Sequence, residues 1–229
     1  AIKYGMKSTG LTSFVMDDKI DCGEIINNIK IPIEEIDDFG TIYNRLSVLS
    51  VGFTIDTIQR ITAHSDWRRY LLIQPDYKLT DVKYMYAPKL TDGNTRIPVK
   101  YGELPNSDVL YNHIRSLSPN IGTPCKLQVY KLYENENAVP QYHSSLVKEY
   151  DIKIYKAHIK AMNLEDKQTK GNVVTDGKTY MVFKTHSTYN YLSIDEIQIA
   201  GKKKMPIKDF LSGFQWGREK DVYLVITGE

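Results

Sequence analysis

Cysteine is nearly absent: Cys22 and Cys125 are the only two in 229 residues. They lie far apart and form no C-x-x-C pair, which excludes a disulfide-stapled fold and a paired thiolate metal site. A cytoplasmic location is what this usage predicts. Histidine is scarce as well. His64, His113, His143, His158 and His186 show no H-x-x-x-H spacing, so no metal site is expected. No apolar stretch approaches the roughly 18 residues of a membrane helix, and no membrane partner is expected. The opening Ala1-Ile2-Lys3-Tyr4-Gly5 lacks an initiator Met and the apolar centre of a signal peptide. A fragment or a processed chain is the expectation.

No charge of one sign dominates either, the formal net charge being +2. Residues 1–88 carry 10 Lys and Arg against 12 Asp and Glu, whereas residues 89–229 carry 20 against 16. The C-terminal part is therefore mildly basic, which is compatible with a polyanion partner. Apolar residues make up 41% of the chain, enough to bury a core.

The densest local signal is Met16-Asp17-Asp18-Lys19-Ile20-Asp21-Cys22-Gly23, a carboxylate-rich loop between two apolar runs. Leu11 to Met16 and Glu24 to Ile33 read as strands on either side of it. Ile42, Leu46, Leu49 and Phe53 recur at helical spacing, predicting a helix that continues through Ile58 and Ile61. The acidic residues 34–38 suit its N-terminal end. Residues 65–88, with Pro75, Pro88 and little periodicity, read as a linker. Beyond it the pattern predicts a helix over 107–117 and another over 206–214. Strands are predicted at 126–132, 151–159, 172–175, 179–184, 189–200 and 222–227. Many short strands with turn punctuation such as Asp176-Gly177 point to a small barrel or sandwich.

From residue types alone, Asp21 either shapes an Asp-x-Gly turn or serves chemistry. Lys202-Lys203-Lys204 is either a solvated turn or a phosphate contact. The order of several segments adds to this. Gly10-Leu11-Thr12-Ser13-Phe14, then Ile20-Asp21-Cys22-Gly23-Glu24-Ile25-Ile26, then Tyr43-Asn44-Arg45-Leu46 open the series. Tyr86-Ala87-Pro88-Lys89-Leu90-Thr91 and Ile114-Arg115-Ser116-Leu117-Ser118-Pro119 follow, and Ile199-Ala200-Gly201-Lys202-Lys203-Lys204-Met205 and Asp209-Phe210-Leu211-Ser212-Gly213-Phe214 end it. This series resembles the methionyl-tRNA formyltransferase family over nearly the whole chain.

The resemblance implies an α/β remnant over residues 1–64, the end of a Rossmann-like formyltransferase domain. It also implies a linker over 65–88 and a mostly β, OB-like tRNA-binding barrel domain over 89–229. It implies a formyl donor, 10-formyltetrahydrofolate, and a partner, initiator Met-tRNA. Asp21 maps onto the family's catalytic aspartate, while its Asn-x-His pair has no counterpart, so most of the catalytic domain would precede Ala1. Val15, Met16, Asp17, Asp18 and Lys19 would border the folate. Lys202, Lys203, Lys204, Arg115 and Lys89 would contact tRNA. A monomer without metal is the expectation, inactive without the missing residues. Residues 120–125 depart from the family's Pro-x-Pro-Gly-like turn. Two rival readings share these features: a formyltransferase acting on an amino sugar nucleotide, and a non-catalytic RNA-binding barrel.

Overall fold

The computed structural model describes residues 1–18, 21–63, 65–74, 87–100, 103–134, 142–162, 171–186, 189–215 and 221–229. They divide into two compact units, Ala1 with Met6–Lys89, and Ile2–Gly5 with Leu90–Glu229.

In the first unit, β1 (Ser8–Phe14) and β2 (Ile25–Pro32) pair antiparallel from Ser8↔Pro32 to Phe14↔Ile25. The helix α1 (Phe39–Thr62) opens on a capping box. The Asp38 carboxylate accepts from the Thr41 amide at 2.8 Å, and the Thr41 hydroxyl accepts from the Asp38 amide at 2.9 Å. Asp37 is buried, accepts from the Glu34 amide at 2.8 Å and pairs with Arg45 at 3.2 Å. Ile42 and Thr57 are buried in the face of α1 turned to the sheet. Thr57 meets Ser13 at 3.3 Å, and the Asn27 amide donates to Asp56 at 2.9 Å. The inward stripe is therefore partly polar. After α1, Trp67–Tyr70 makes a 3-10 turn and Leu72 forms a two-way backbone bridge with Ile25.

The second unit is a closed barrel. It is built from β3 (Thr123–Glu134), β4 (Tyr142–Ala161), β5 (Val173–Thr175), β6 (Met181–Phe183), β7 (Asn190–Ile199) and β9 (Val222–Thr227). The order is β4-β3-β9-β5-β6-β7, and a pairing of β7 back to β4 completes a six-stranded antiparallel ring. A two-residue strand β8 (Met205–Pro206) adds to β7. Irregularities at residues 154–157 of β4 bend it around the ring. Inward side chains such as Leu127, Val129, Ile154, Phe183, Leu192, Ile194 and Ile226 fill the core. Among the described residues this unit also holds the 3-10 turn Ile2–Tyr4 and the α-helices α2 (Asp92–Thr95, short), α3 (Ser107–Leu117) and α4 (Ile207–Ser212). Asn106 caps α3 by accepting from the amides of Asp108 and Val109. Leu110, Ile114 and Leu117 of α3 and Phe210 and Leu211 of α4 are buried.

The predicted strands are present, the last with the predicted ends and the others with shifted ones. β3 and β4 run as a hairpin longer than the apolar stretches indicated, because only part of each is covered by the ring. The weakest seam of the ring is β5 to β9, where one residue pair, Val173↔Leu224, is in register. The buried Asn172 closes it: its amide donates to the Ile226 carbonyl and its carbonyl accepts from the Ile226 amide, both at 2.8 Å. The side chain thus stands in for a strand residue. At the next turn the Asp176 carboxylate accepts from the amides of Lys178, Thr179 and Tyr180, and from the Thr179 hydroxyl. Burial pushes its pKa up, but these hydrogen bonds outweigh burial and hold it well below the usual carboxylate range.

Two outcomes follow from this packing. Asn172→Ala leaves two buried backbone groups unpaired and is expected to cost about 2–4 kcal/mol, read as a lowered urea midpoint at constant slope. His113 is buried on α3, its Nε2 at 3.0 Å from the Thr95 carbonyl, and its Nδ1 has no partner among the described residues. Burial first, and then Lys3, push its pKa below 6.5. The folded chain then binds fewer protons than the unfolded one in the window below 6.5. Stability is complete above that value and falls as pH drops through the window. Thermal midpoints taken between pH 7.5 and 5 should show this slope, and His113→Gln, which keeps a donor to Thr95, should flatten it.

Candidate functional site

The carboxylate-rich loop follows β1, and its backbone is specified by two residues. Asp21 has φ +56°, the left-handed region that Asp tolerates better than most residues. Gly23 is buried, and a Cβ there would sit 1.6 Å from the Val15 carbonyl oxygen. Only glycine allows that approach. The Val15 amide donates to the Glu24 carbonyl at 2.9 Å, closing the neck of the loop. Gln74 then fastens its far side, its amide nitrogen donating to the carbonyls of Gly23 (2.6 Å) and Asp21 (3.0 Å). Nothing in the sequence singled out Gln74, because a surface glutamine fifty residues away carries no local pattern.

This arrangement turns the Asp21 side chain outward. Its carboxylate is exposed and makes no hydrogen bond among the described residues. Met16 is 91% exposed, Asp17 and Asp18 are exposed, and Val15 is half-buried. Asp17 accepts from the Asp18 amide at 2.7 Å, a local turn contact. Lys19 lies outside the described residues. A cleft of about 440 Å³ in the same unit is lined by Ile26, Gln59, Arg60, Ala63, Trp67, Tyr70 and Leu71. Among the described residues no cluster of three or more His, Cys, Asp or Glu could hold a metal ion. An exposed carboxylate on a fixed loop can position a water or orient a neighbouring group; it holds no hydrogen-bonded partner for catalysis by itself.

The basic candidates are distributed unevenly. Arg115 donates from Nε to Asn112 at 2.8 Å and lies over the Tyr111 ring at 5.3 Å, so part of its capacity is taken up on α3. Lys89 is exposed and falls in the first unit. Lys202, Lys203 and Lys204 occupy the turn between β7 and β8. Lys202 and Lys203 are exposed, whereas the Lys204 ammonium donates to the Pro119 carbonyl at 2.8 Å and lies 4.1 Å from the centre of the Tyr155 ring. The Tyr155 hydroxyl donates to Gln198 at 2.8 Å, and Gln198 donates to the Lys202 carbonyl at 2.7 Å. Burial, and then Glu196, raise the Tyr155 pKa. The structure adds a lysine that sequence reasoning missed: Lys153 donates to the Ile121 carbonyl at 3.3 Å, on the same α3–β3 turn that Lys204 holds.

Comparison with known proteins places these features. Residues 105–215 match the family model of the formyl transferase C-terminal domain. The chain is 30% identical over 220 residues to a methionyl-tRNA formyltransferase of Azobacteroides pseudotrichonymphae, covering 93% of this chain and 58% of that protein. It is 31% identical over 224 residues to one of Flavobacterium johnsoniae, covering 97% and 61%. The chain therefore spans about three fifths of the length of these curated relatives. Among solved structures, HypX from Aquifex aeolicus in complex with tetrahydrofolic acid shares the fold. Its TM-score is 0.54 at 13% identity, over 94% of this chain and 32% of that one.

Because the loop depends on backbone proximity, Gly23→Ala is expected to lower stability by at least about 2 kcal/mol. Gln74→Ala, which removes two partly exposed hydrogen bonds, should lower it by about 1 kcal/mol. Urea unfolding of the two variants beside the parent chain checks the order.

Proposed function

We propose, on the premise that residues 105–215 are a formyl transferase C-terminal domain, that the chain is the C-terminal part of a methionyl-tRNA formyltransferase. The longer protein transfers a formyl group from 10-formyltetrahydrofolate to the amino group of methionine on initiator tRNA. It works in translation initiation as a cytoplasmic monomer. In this reading residues 1–64 are the end of a Rossmann-like catalytic domain, residues 65–88 a linker and residues 89–229 the OB-like tRNA-binding domain.

The observation that carries the catalytic-domain part is α1. Its outer face exposes Val48 (77%), Val51 (64%), Ile55 (53%) and Ile58 (54%), at steps of three, four and three. Its other face already covers the β1–β2 sheet. A helix that packs on a sheet through one face and exposes a row of apolar side chains on the other suits a position between two layers. That supports a larger α/β body around residues 1–64.

Formyl transfer passes through a tetrahedral intermediate whose carbonyl oxygen becomes an oxyanion. The attacking amine loses a proton and the leaving folate nitrogen gains one. In the proposed site Asp21 holds an ordered water for these transfers and orients an imidazole from the remaining part of the domain. Hydrogen-bond donors there stabilise the oxyanion. The Val15–Lys19 segment borders the folate, with backbone groups making much of the contact. Lys202, Lys203, Lys204, Arg115 and Lys89 face the tRNA.

The test is formylation by the longer protein with 10-formyltetrahydrofolate, offering Met-tRNA and an amino sugar nucleotide side by side. Met-tRNA should be the substrate, and Asp21→Asn should lower kcat by about 10²–10⁴-fold with the fold intact. The isolated 229-residue chain should be inactive. Formylation of the sugar alone, or binding of tRNA with no folate binding, would replace this reading with one of its rivals.

A further inference from the structure

We propose that Gln74 is a positioning residue for formyl transfer: by holding the carbonyls of Asp21 and Gly23 together, it fixes the direction of the Asp21 carboxylate. This rests on the reading that Asp21 serves that reaction, and it brings in a residue to which no sequence pattern gives a part in it.

The need for such a residue comes from Asp21 itself. At φ +56° its backbone lies in the small left-handed region, and for a residue with a side chain the right-handed and extended regions compete with it. A change between those regions swings the Cα–Cβ bond, and the carboxylate travels with it. The carboxylate is exposed and has no hydrogen-bond partner among the described residues. Nothing there resists the swing at the carboxylate end, so its direction is inherited from the backbone.

Two sets of contacts hold that backbone. The packing of Gly23 on the Val15 carbonyl and the bond from the Val15 amide to the Glu24 carbonyl act at Gly23 and Glu24. They do not reach the peptide plane between Asp21 and Cys22. The Asp21 carbonyl lies in that plane, and it accepts from the Gln74 amide nitrogen at 3.0 Å. The same nitrogen donates to the Gly23 carbonyl at 2.6 Å. A primary amide has two N–H groups, so one bond to each carbonyl uses both. Turning the Asp21–Cys22 plane breaks the first bond while the second keeps Gln74 in place. Among the described residues no other donor reaches either carbonyl.

Gln74 is itself anchored. Two residues before it, Leu72 exchanges backbone bonds with Ile25 in both directions, at 2.8 and 2.9 Å. Ile25 lies two residues beyond Gly23, so the clamp closes a short circuit inside one compact unit: Gly23 to Ile25, across to Leu72, on to Gln74 and back to Gly23. The bond to Gly23 is half-buried and the bond to Asp21 exposed. The first therefore fixes where Gln74 stands, and the second passes that position on to Asp21. The amide is neutral and places no charge beside the carboxylate. Its contribution to the reaction is geometric, and a displacement of about 1 Å at a reacting group can cost about 10²-fold in rate.

The experiment is steady-state formylation of Met-tRNA by the longer protein with 10-formyltetrahydrofolate. Gln74→Ala and Gln74→Glu should lower kcat by about 10–10²-fold, while KM for either substrate stays within about threefold. Gln74→Glu has the size of the parent side chain but, once ionised, only accepts, so a space-filling role would leave it active. Gln74→Lys keeps donors for both carbonyls and should recover most of the lost kcat. The pH profile of kcat in Gln74→Ala should keep the parent's shape, since no charge is removed. In an Asp21→Asn background, where Asn also tolerates the left-handed region, Gln74→Ala should change the residual kcat by less than about twofold, as expected of two groups that act as one unit. Melting of each variant checks the fold. In the 229-residue chain, NMR relaxation should show the amides of Asp21, Cys22 and Gly23 loosened by Gln74→Ala, with those of β1 and β2 unmoved. Parent-like kcat in folded Gln74→Ala, a loss confined to KM, an undiminished loss in the Asp21→Asn background, or unmoved loop amides each overturns the assignment and leaves the formyltransferase reading standing. Absence of Met-tRNA formylation by the longer protein sinks that reading itself.

Discussion

The second unit depends on one constraint: β4 must be paired along both edges. Residues 142–154 pair with β3 on one edge and residues 152–161 with β7 on the other, and the β7 pairing turns an open sheet into a ring. Closure removes the free edges that would otherwise expose unpaired amides and carbonyls. It also demands that every seam be sealed, which is why a side-chain amide is recruited at Asn172 where β5 is too short to reach along β9. The bends at residues 154–157 serve the same end, since a strand shared by two neighbours has to curve. Tyr155 sits inside that bend. The irregular stretch that closes the barrel therefore also sets the Tyr155 ring against Gly122 and beneath the Lys204 ammonium.

The first unit obeys a different logic. Among the described residues its sheet has two strands, and a hairpin of that size is marginal in water unless something packs on it. The α1 helix provides that cover through a stripe that is partly polar, with Thr57, Asn27, Ser13 and Asp56 exchanging hydrogen bonds. Such a seam specifies the angle and register of the helix more sharply than it adds stability. The face of α1 turned away from these strands also carries apolar side chains, Val48, Val51, Ile55 and Ile58.

Much of this was legible in the sequence, for identifiable reasons. The α3 helix was readable because its cap, apolar spacing and following proline agree. The barrel strands showed themselves through punctuation, with Asp176-Gly177 forming the tight turn its residues demand. Where reading failed, the cause was tertiary. The long β3–β4 hairpin carries polar residues where the ring does not cover it, so its hydrophobic pattern stops before its hydrogen bonds do. In α1 the buried residue one turn after Phe53 is Thr57, while Ile58 faces out; hydropathy alone prefers the reverse. Gln74, Asn172 and Lys153 act through bonds to backbone groups distant in sequence, and no local pattern announces such partners. The Asp-x-Gly loop was read as site-like from its composition, yet its shape rests on Gly23 and Gln74 together.

That loop also bounds what its acid can do. Electrostatic catalysis draws its strength from groups held in a dry, low-dielectric setting, where dipoles do not have to reorganise as charge develops. Asp21 is exposed, on a loop held by backbone bonds and the Gln74 amide, with no donor fixed to its oxygens among the described residues. In that setting a carboxylate interacts with a developing charge only weakly, because solvent screens it. The same backbone bonds fix where the carboxylate points. Pre-positioning of this kind is worth having only if another surface closes over it, supplies the oxyanion donors and excludes water. In the proposed reading that surface is the remaining part of the catalytic domain.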